Sequence, residues 1–362
     1  MNNLLLIFSI IAGTGYLGWR VITFWWLESA PEKQAYSPPL NVLICARNAA
    51  KSLTHHLPEW LHQDYPNYRV WVVNDASTDE TAEVLSHLAQ KHKHLHIITL
   101  QNKMVSGKRE ALALGLATVP EGQVVLTDAD CRPCSSHFLK ELAEQIGEKP
   151  VSYLGLGLYA AAPHGVQAMV QFETMQTAFL YVAAAGIGQP YMGVGRNMGY
   201  PREKGQNMVA ASVREKLAGG DDDLAVRSGL GGRFQVIRGK AAWTISDAPS
   251  SFSQWWQQKR RHYETSVHYR PGTLIGLGID QLCHTGLWLT AMMGGFVAPA
   301  APACWISLGA LAGAWTLYAV CLWRRGVKIN LFKIAAGDFI CTFVIPILWL
   351  QAILWKPQGR WT

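Results

Sequence analysis

Charge is scarce in this chain. Asp, Glu, Lys and Arg make up 16% of its 362 residues, too little for a disordered or highly solvated protein. It has no internal repeat and no low-complexity segment. Its seven cysteines have no regular pairing, which excludes a disulfide framework, and an odd count placed mostly in predicted helices and strands fits a reducing compartment. A basic surplus is also missing from the middle of the chain. Residues 28–270 hold 25 Lys and Arg against 23 Asp and Glu, so most of the formal +7 lies outside them and a nucleic-acid partner is not expected. What the chain does have is 49% apolar residues and 15 tryptophans, a balance that argues against a freely soluble enzyme.

The apolar residues fall into long runs. Leu4–Trp26 is apolar apart from Arg20 and long enough to span about 30 Å of hydrocarbon. No Lys or Arg precedes it and no small-x-small cleavage site follows, so an uncleaved anchor is expected, with its C-terminal side in the cytoplasm. Three more runs, Leu274–Val297, Pro302–Trp323 and Ile334–Trp355, predict spans that leave Arg324, Arg325, Lys328 and Lys333 inside. The expected division is an anchor over 1–27, a cytoplasmic domain over 28–250, an amphipathic interfacial helix over 251–270 and three spans over 271–362. Asp280, His284 and Asp338 lie within or near these runs, where an ionisable group faces another helix, a polar cavity or the headgroups.

Between the spans, short apolar runs alternate with helical stretches. Asn41–Cys45, Arg69–Val73, Leu95–Thr99 and Gln123–Thr127 read as strands, each followed by a helix. That alternation predicts an α/β fold with a mainly parallel open sheet. Val151–Ala160 reads as a fifth strand, Gly165–Ala185 as a long helix, and Phe234–Ile237 with Ala242–Ile245 as short strands. Ligands of such sheets bind at the carboxyl ends of the strands. Three of those ends carry polar clusters: Ala46-Arg47-Asn48, Asn74-Asp75-Ala76-Ser77 and Asp128-Ala129-Asp130.

The Asp128-x-Asp130 spacing lets one carboxylate ligate a divalent cation while the other meets its waters or a sugar hydroxyl. Hard oxygen donors of this kind suit Mg²⁺ or Mn²⁺ shared with a diphosphate. A turn after a strand also attracts Asp for local hydrogen bonds. In Asn74–Asp79, helix capping accounts for Ser77 and Asp79 better than for Asp75, which is free to accept a hydrogen bond from a base or ribose. Cys131-Arg132-Pro133-Cys134 has redox spacing but opens no thioredoxin-like helix. The His92/His94/His96 alternation and the His55-His56 pair lack a completing ligand set.

Taken in order, Asn41–Asn48, Val72–Thr81, Gly107–Leu112 and Thr127–Asp130 resemble the nucleotide-sugar-binding half of the family 2 glycosyltransferases. The flanking apolar runs resemble the membrane-integrated branch that includes cellulose and hyaluronan synthases and ceramide glucosyltransferases. The resemblance implies a GT-A fold, a UDP-sugar donor contacted by Asn74 and Asp75, Lys108 near the diphosphate, and Asp130 on the metal with Asp128 assisting. The family pattern has Asp-Asp where this chain has Asn74-Asp75.

The second half carries the expected acceptor side. Gly219-Gly220-Asp221-Asp222-Asp223-Leu224 holds three acids before an apolar helix, more than the helix dipole needs. Mutual repulsion would raise at least one pKa toward the range of a general base. The segment resembles the family's Thr-Glu-Asp motif, which places Asp221 at the base position with Asp222 as its rival. Gln258-Lys259-Arg260-Arg261-His262 resembles the Gln-x-x-Arg-Trp motif, with Arg261 expected on the diphosphate and His262 at the acceptor entrance. Read without the family, Gln254–His262 is an interfacial helix with tryptophans at headgroup depth.

The sequence thus leads to an inverting hexosyltransferase that is metal-dependent and integral to a membrane, expected to be the bacterial inner membrane. Its partners would be a UDP-sugar, the bilayer and a lipid or lipid-linked glycan acceptor. A processive polysaccharide synthase is the alternative within the class. A non-catalytic subunit that binds nucleotide sugar or glycan for an export complex is the alternative outside it.

Overall fold

The computed structural model describes residues 2–29, 31–104, 107–160, 166–212, 222, 223, 226, 233–296, 302–324, 326 and 331–354. It divides into two compact units, one of Ala30–Ala160 with Tyr181–Asp247 and Pro357–Thr362, the other of Met1–Ser29, Ala161–Leu180 and Ala248–Lys356.

The first unit is α/β. β1 (Leu40–Ala46), β2 (Tyr68–Asp75), β3 (Leu95–Leu100) and β4 (Gln123–Asp128) run parallel and alternate with α2 (Ala50–Leu61), α3 (Thr81–Lys91) and α4 (Arg109–Thr118). After β4 come β5 (Cys131–Pro133), α5 (Phe138–Ile146), β6 (Tyr153–Leu154) and β7 (Gly157–Tyr159). The long α6 (Gln167–Gly186) is followed by β8 (Met198–Pro201), α7 (Arg202–Ser212), β9 (Gln235–Val236) and β10 (Thr244–Ser246). Seven strands form one sheet in the order β3-β2-β1-β4-β8-β6-β9, and β5-β10-β7 form a second.

The central strands are apolar throughout because both faces are covered. Val42, Ile44, Val70 and Val72 pack with Leu53, Leu57, Trp60, Leu85 and Phe138 from the helices. The intervening Leu43 and Val73 meet α4 on the opposite face, where a Cβ at Gly115 would come within 2.7 Å of Leu43. Each such aliphatic side chain, fully buried, is worth about 1.5–3 kcal/mol. These layers hold the carboxyl ends of β1, β2 and β4 on one rim.

The stretch Val151–Ala160 is not one strand. It breaks at Gly155–Leu156 into β6, in the large sheet, and β7, in the small one. Here Gly155 N–H donates to Asn197 O at 2.9 Å, and the Asn197 amide donates to Leu156 O at 2.8 Å and Ala242 O at 2.9 Å. A Cβ at Gly155 or Gly157 would stand 2.4 Å from Asn197 or Arg196. The two glycines let that loop press into the crossing point. All seven cysteines are free.

The second unit is helical: α1 (Asn2–Glu28), the first part of α6, α8 (Phe252–Ser266), α9 (Pro271–Phe296), α10 (Pro302–Trp323) and α11 (Leu331–Leu354). Among the described residues, three helices are long and apolar enough to cross a membrane: Asn3–Glu28, Pro302–Trp323 and Leu331–Leu354. The helix α9, expected as a fourth span, is also 26 residues long but carries Asp280, Gln281 and His284. Its ionisable groups face other helices. Arg20 grips Asp280 with two bonds, at 2.9 and 3.0 Å, donates to Tyr318 Oη at 2.8 Å and lies over the Tyr16 ring. His284 Nε2 is 2.6 Å from Asp338 Oδ1, while Trp288 and Trp315 donate to Asp338 Oδ2 at 3.1 and 2.6 Å. Such pairing satisfies groups that would otherwise be costly in an apolar bundle.

Candidate active site at the strand ends

The first two strand-end clusters are tied together. After β1, Ala46 is buried while Arg47 and Asn48 are exposed. Asn48 takes a left-handed conformation with φ 48°, open to Asn at low cost. Its Oδ1 accepts from Thr78 N–H at 2.8 Å, and its own N–H donates to Ser77 Oγ at 3.0 Å. Asp79 accepts from Ala50 N–H at 3.2 Å and Thr81 N–H at 3.1 Å, which anchors the starts of α2 and α3. Asn74 Oδ1 accepts from Ser77 N–H at 3.2 Å.

Asp75 takes no part in this local bonding. It is buried, 2% exposed, and paired through Oδ2 with Lys103, a residue not anticipated from the sequence. Its Oδ1 is buried with no hydrogen-bond partner among the described residues. A buried acceptor without a donor is costly, and an N–H of a bound base would relieve it.

At the end of β4, Lys108 Nζ lies 3.2 Å from Asp128 Oδ1 and 3.4 Å from Asp222 Oδ1. Asp222 Oδ2 accepts from Gly195 N–H at 2.9 Å, and Asp223 Oδ1 from Gly193 N–H at 3.3 Å. A Cβ at Gly195 would fall 2.5 Å from Asp222 Oδ2, so this contact requires glycine. The Gly193-x-Gly195 spacing is the signal in the sequence that could have announced the cradle. Asp221 lies outside the described residues, as do Gly219 and Gly220.

Asp130 keeps a solvent-accessible face, but protein on its other sides strips part of its hydration. That burial, reinforced by the neighbouring Asp128 carboxylate, raises its pKa above the usual carboxylate value, against a hydrogen bond from Cys131 Sγ at 3.2 Å. The ligand atoms of Asp128, Asp130 and Cys131 lie within 4.8 Å of one another. Two hard carboxylate donors beside an excess of negative charge fit a divalent cation such as Mg²⁺ or Mn²⁺. The thiol is a poorer match, since burial and the two aspartates push its pKa well up. Arg196, also not anticipated, is held near Asp130 by Gly157 O at 3.1 Å, Ser246 Oγ at 3.2 Å and the Tyr159 ring.

Gln258, Arg261 and His262 stand on α8, in the helical unit. Gln258 is half-buried, while Arg261 and His262 are exposed. The neighbouring Lys259 is buried and paired with Glu173.

Residues 41–186 match the sequence model of Glycosyl transferase family 2. This part of the chain is thus similar to family 2 glycosyltransferase domains. Over 110 residues the chain is 28% identical to the beta-monoglucosyldiacylglycerol synthase of Nostoc sp. (strain PCC 7120), covering 30% of this chain and 24% of the synthase. Over 256 residues it is 27% identical to the probable glycosyltransferase YdaM of Bacillus subtilis (strain 168), covering 65% of this chain and 56% of that protein. The chain thus matches about a quarter to a little over half of these relatives' own length. Among solved structures, the mannosyltransferase PcManGT from Pyrobaculum calidifontis, in complex with GDP-Man and Mn²⁺, superposes with a TM-score of 0.55 at 17% identity, over 96% of this chain and 99% of that one. At that identity the likeness establishes the fold of the α/β unit alone, a mainly parallel GT-A-like sheet.

Proposed function

We propose that the chain is a membrane-bound inverting glycosyltransferase that moves a sugar from a UDP-sugar to a lipid or lipid-linked glycan acceptor. The observation that carries this reading is Lys108 set between Asp128 and Asp222, which draws the donor-side and acceptor-side motifs to one rim.

In this reading, Ala46, Arg47, Asn48 and Asn74 shape the nucleotide pocket and the orphaned Asp75 Oδ1 accepts a base N–H. Lys108 Nζ leaves its carboxylate partners to meet the diphosphate, joined by Arg261 with Gln258. Asp128 and Asp130 would hold Mn²⁺ or Mg²⁺, which supplies charge neutralisation for the departing diphosphate. Asp222 is already committed to Gly195 N–H and Lys108, which favours Asp221 as the base that takes the acceptor proton. The acceptor oxygen then attacks the anomeric carbon from the face opposite the diphosphate. His262 lines the acceptor entrance.

The lipid acceptor rests on the three helices apolar enough to cross a membrane and on the diacylglycerol in the name of one relative. Kinship with the cellulose, hyaluronan and ceramide glucosyltransferase branch, a bacterial inner-membrane location and a cytoplasmic catalytic domain rest on the motif order and the positive-inside pattern.

The test is UDP release by the purified full chain in detergent with Mn²⁺ or Mg²⁺, over a panel of UDP-sugars, comparing wild type with Asp130→Ala and Asp221→Asn. Release that needs the cation and both aspartates supports the reading and identifies the donor. Metal-dependent UDP binding without release from any donor, with lipid extract added, would transfer support to a binding subunit.

A further inference from the structure

A third carboxylate stands on the rim beside Asp130. The strand β10 pairs antiparallel with β5, with Ser246 opposite Cys131. The ladder continues one step further, since Asp247 N–H donates to Asp130 O at 3.3 Å. Asp247 therefore lies directly across from Asp130. Residues so opposed project to the same face, with Cβ atoms about 4.5–5.5 Å apart, and like charges there repel.

Asp247 is held by a histidine. His56, on α2, places Nε2 3.2 Å from Asp247 Oδ2. The His56 residue is nine-tenths buried, and its Nδ1 is buried with no partner among the described residues. A carboxylate only accepts, so the ring nitrogen that reaches it, Nε2, is the donor of this bond. The Asp247 side chain itself is 64% exposed. A buried histidine thus orients an exposed carboxylate, the reverse of a pair that serves the core.

We propose that Asp247 is a third carboxylate of the divalent-cation site, meeting the cation through one of its water ligands, and that His56 is its positioning residue. The inference rests on the reading of Asp128 and Asp130 as the cation's carboxylates. An outer position agrees with the tight ligand group, which contains Asp128, Asp130 and Cys131 but not Asp247. It also agrees with the chemistry of Mg²⁺ and Mn²⁺, which keep several waters.

The experiment is a titration of the full chain in detergent with Mn²⁺ alone, reading free Mn²⁺ by electron paramagnetic resonance without any donor sugar. Wild type is compared with Asp247→Asn, His56→Ala, His56→Gln and Asp130→Asn. Loss of an outer partner typically weakens metal binding about 10–100-fold, so Asp247→Asn is expected to bind at least about tenfold more weakly. His56→Ala is expected to show a smaller loss, restored in His56→Gln, whose amide N–H replaces the Nε2 donor. The metal-free unfolding midpoint of Asp247→Asn is expected to equal or exceed that of wild type, because the substitution keeps the shape and removes the repulsion from Asp130. Wild-type affinity in Asp247→Asn, with binding abolished in Asp130→Asn, would overturn the proposal and leave the Asp128–Asp130 reading standing. No Mn²⁺ binding by wild type would overturn both. Equal losses in His56→Ala and His56→Gln would remove His56 from the proposal.

Discussion

The Lys108 ammonium lies 3.4 Å from the Asp222 carboxylate while the same nitrogen reaches Asp128 at 3.2 Å. One cation therefore sets the distance between the strand-end aspartates and the acidic segment that follows α7. Removing Asp222 and removing Asp221 should have different kinetic signatures. Asp222→Asn is expected to raise the donor KM, because Lys108 and the Gly195 loop lose their anchor. Asp221→Asn is expected to lower kcat by about 10²–10⁴-fold, the usual contribution of a general base, with donor affinity intact. Steady-state kinetics on both variants checks this, and the opposite pattern would assign the base to Asp222.

Asp130 should trade stability for binding. Its pKa is raised by burial and by Asp128, so its contribution to stability is fully present below the unfolded value of about 3.9 and is lost as pH rises through the folded value. Asp130→Asn mimics the protonated form. In metal-free protein its melting temperature should exceed that of wild type at neutral pH, and the gap should close in acid. Adding Mn²⁺ at about 100 times its Kd should stabilise wild type by about 2.7 kcal/mol and leave the variant unmoved. Thermal melts over pH, with and without Mn²⁺, test both halves.

Lys103 and Asp75 form a donor and an acceptor side by side. Asp75→Ala is expected to weaken UDP binding by about tenfold or more, the worth of a hydrogen bond to a charged group, with Mn²⁺ binding unchanged. Calorimetric titration with UDP and with Mn²⁺ separates the two effects. Equal UDP affinity in wild type and variant would remove Asp75 from the pocket.

In the helical unit, Arg20→Ala leaves Asp280 and the Tyr318 hydroxyl without their shared partner. Breaking a buried pair from one side costs about 3–5 kcal/mol. The double variant Arg20→Met/Asp280→Leu should recover much of that loss, because it leaves no buried charge unpaired. Melting temperatures in detergent for the single and double variants decide the matter.

Much of the α/β unit was legible from local pattern. Apolar runs separated by helical periods placed β1 to β4 to within two residues, and turn chemistry explained Ser77 and Asp79 while leaving Asp75 over. The same rules failed at Val151–Ala160. There, a continuous apolar run conceals a change of sheet, made by Asn197 from far along the chain. The short strands β5 and β8 escaped notice because strands of three or four residues carry too little period to read.

The sequence by itself determined the strand–helix alternation, the long apolar helices and the acids and bases at the strand ends, since each depends on neighbours a few residues away. Only the tertiary structure decided that Asp75 meets Lys103, that Lys108 stands between Asp128 and Asp222, that Arg20 grips Asp280 and that Asp247 lies across from Asp130 with His56 behind it. The physical reason is register. Which side chains meet across a sheet or between helices is set by how distant strands and helices pair, and one residue of slip would turn each of these groups to another face.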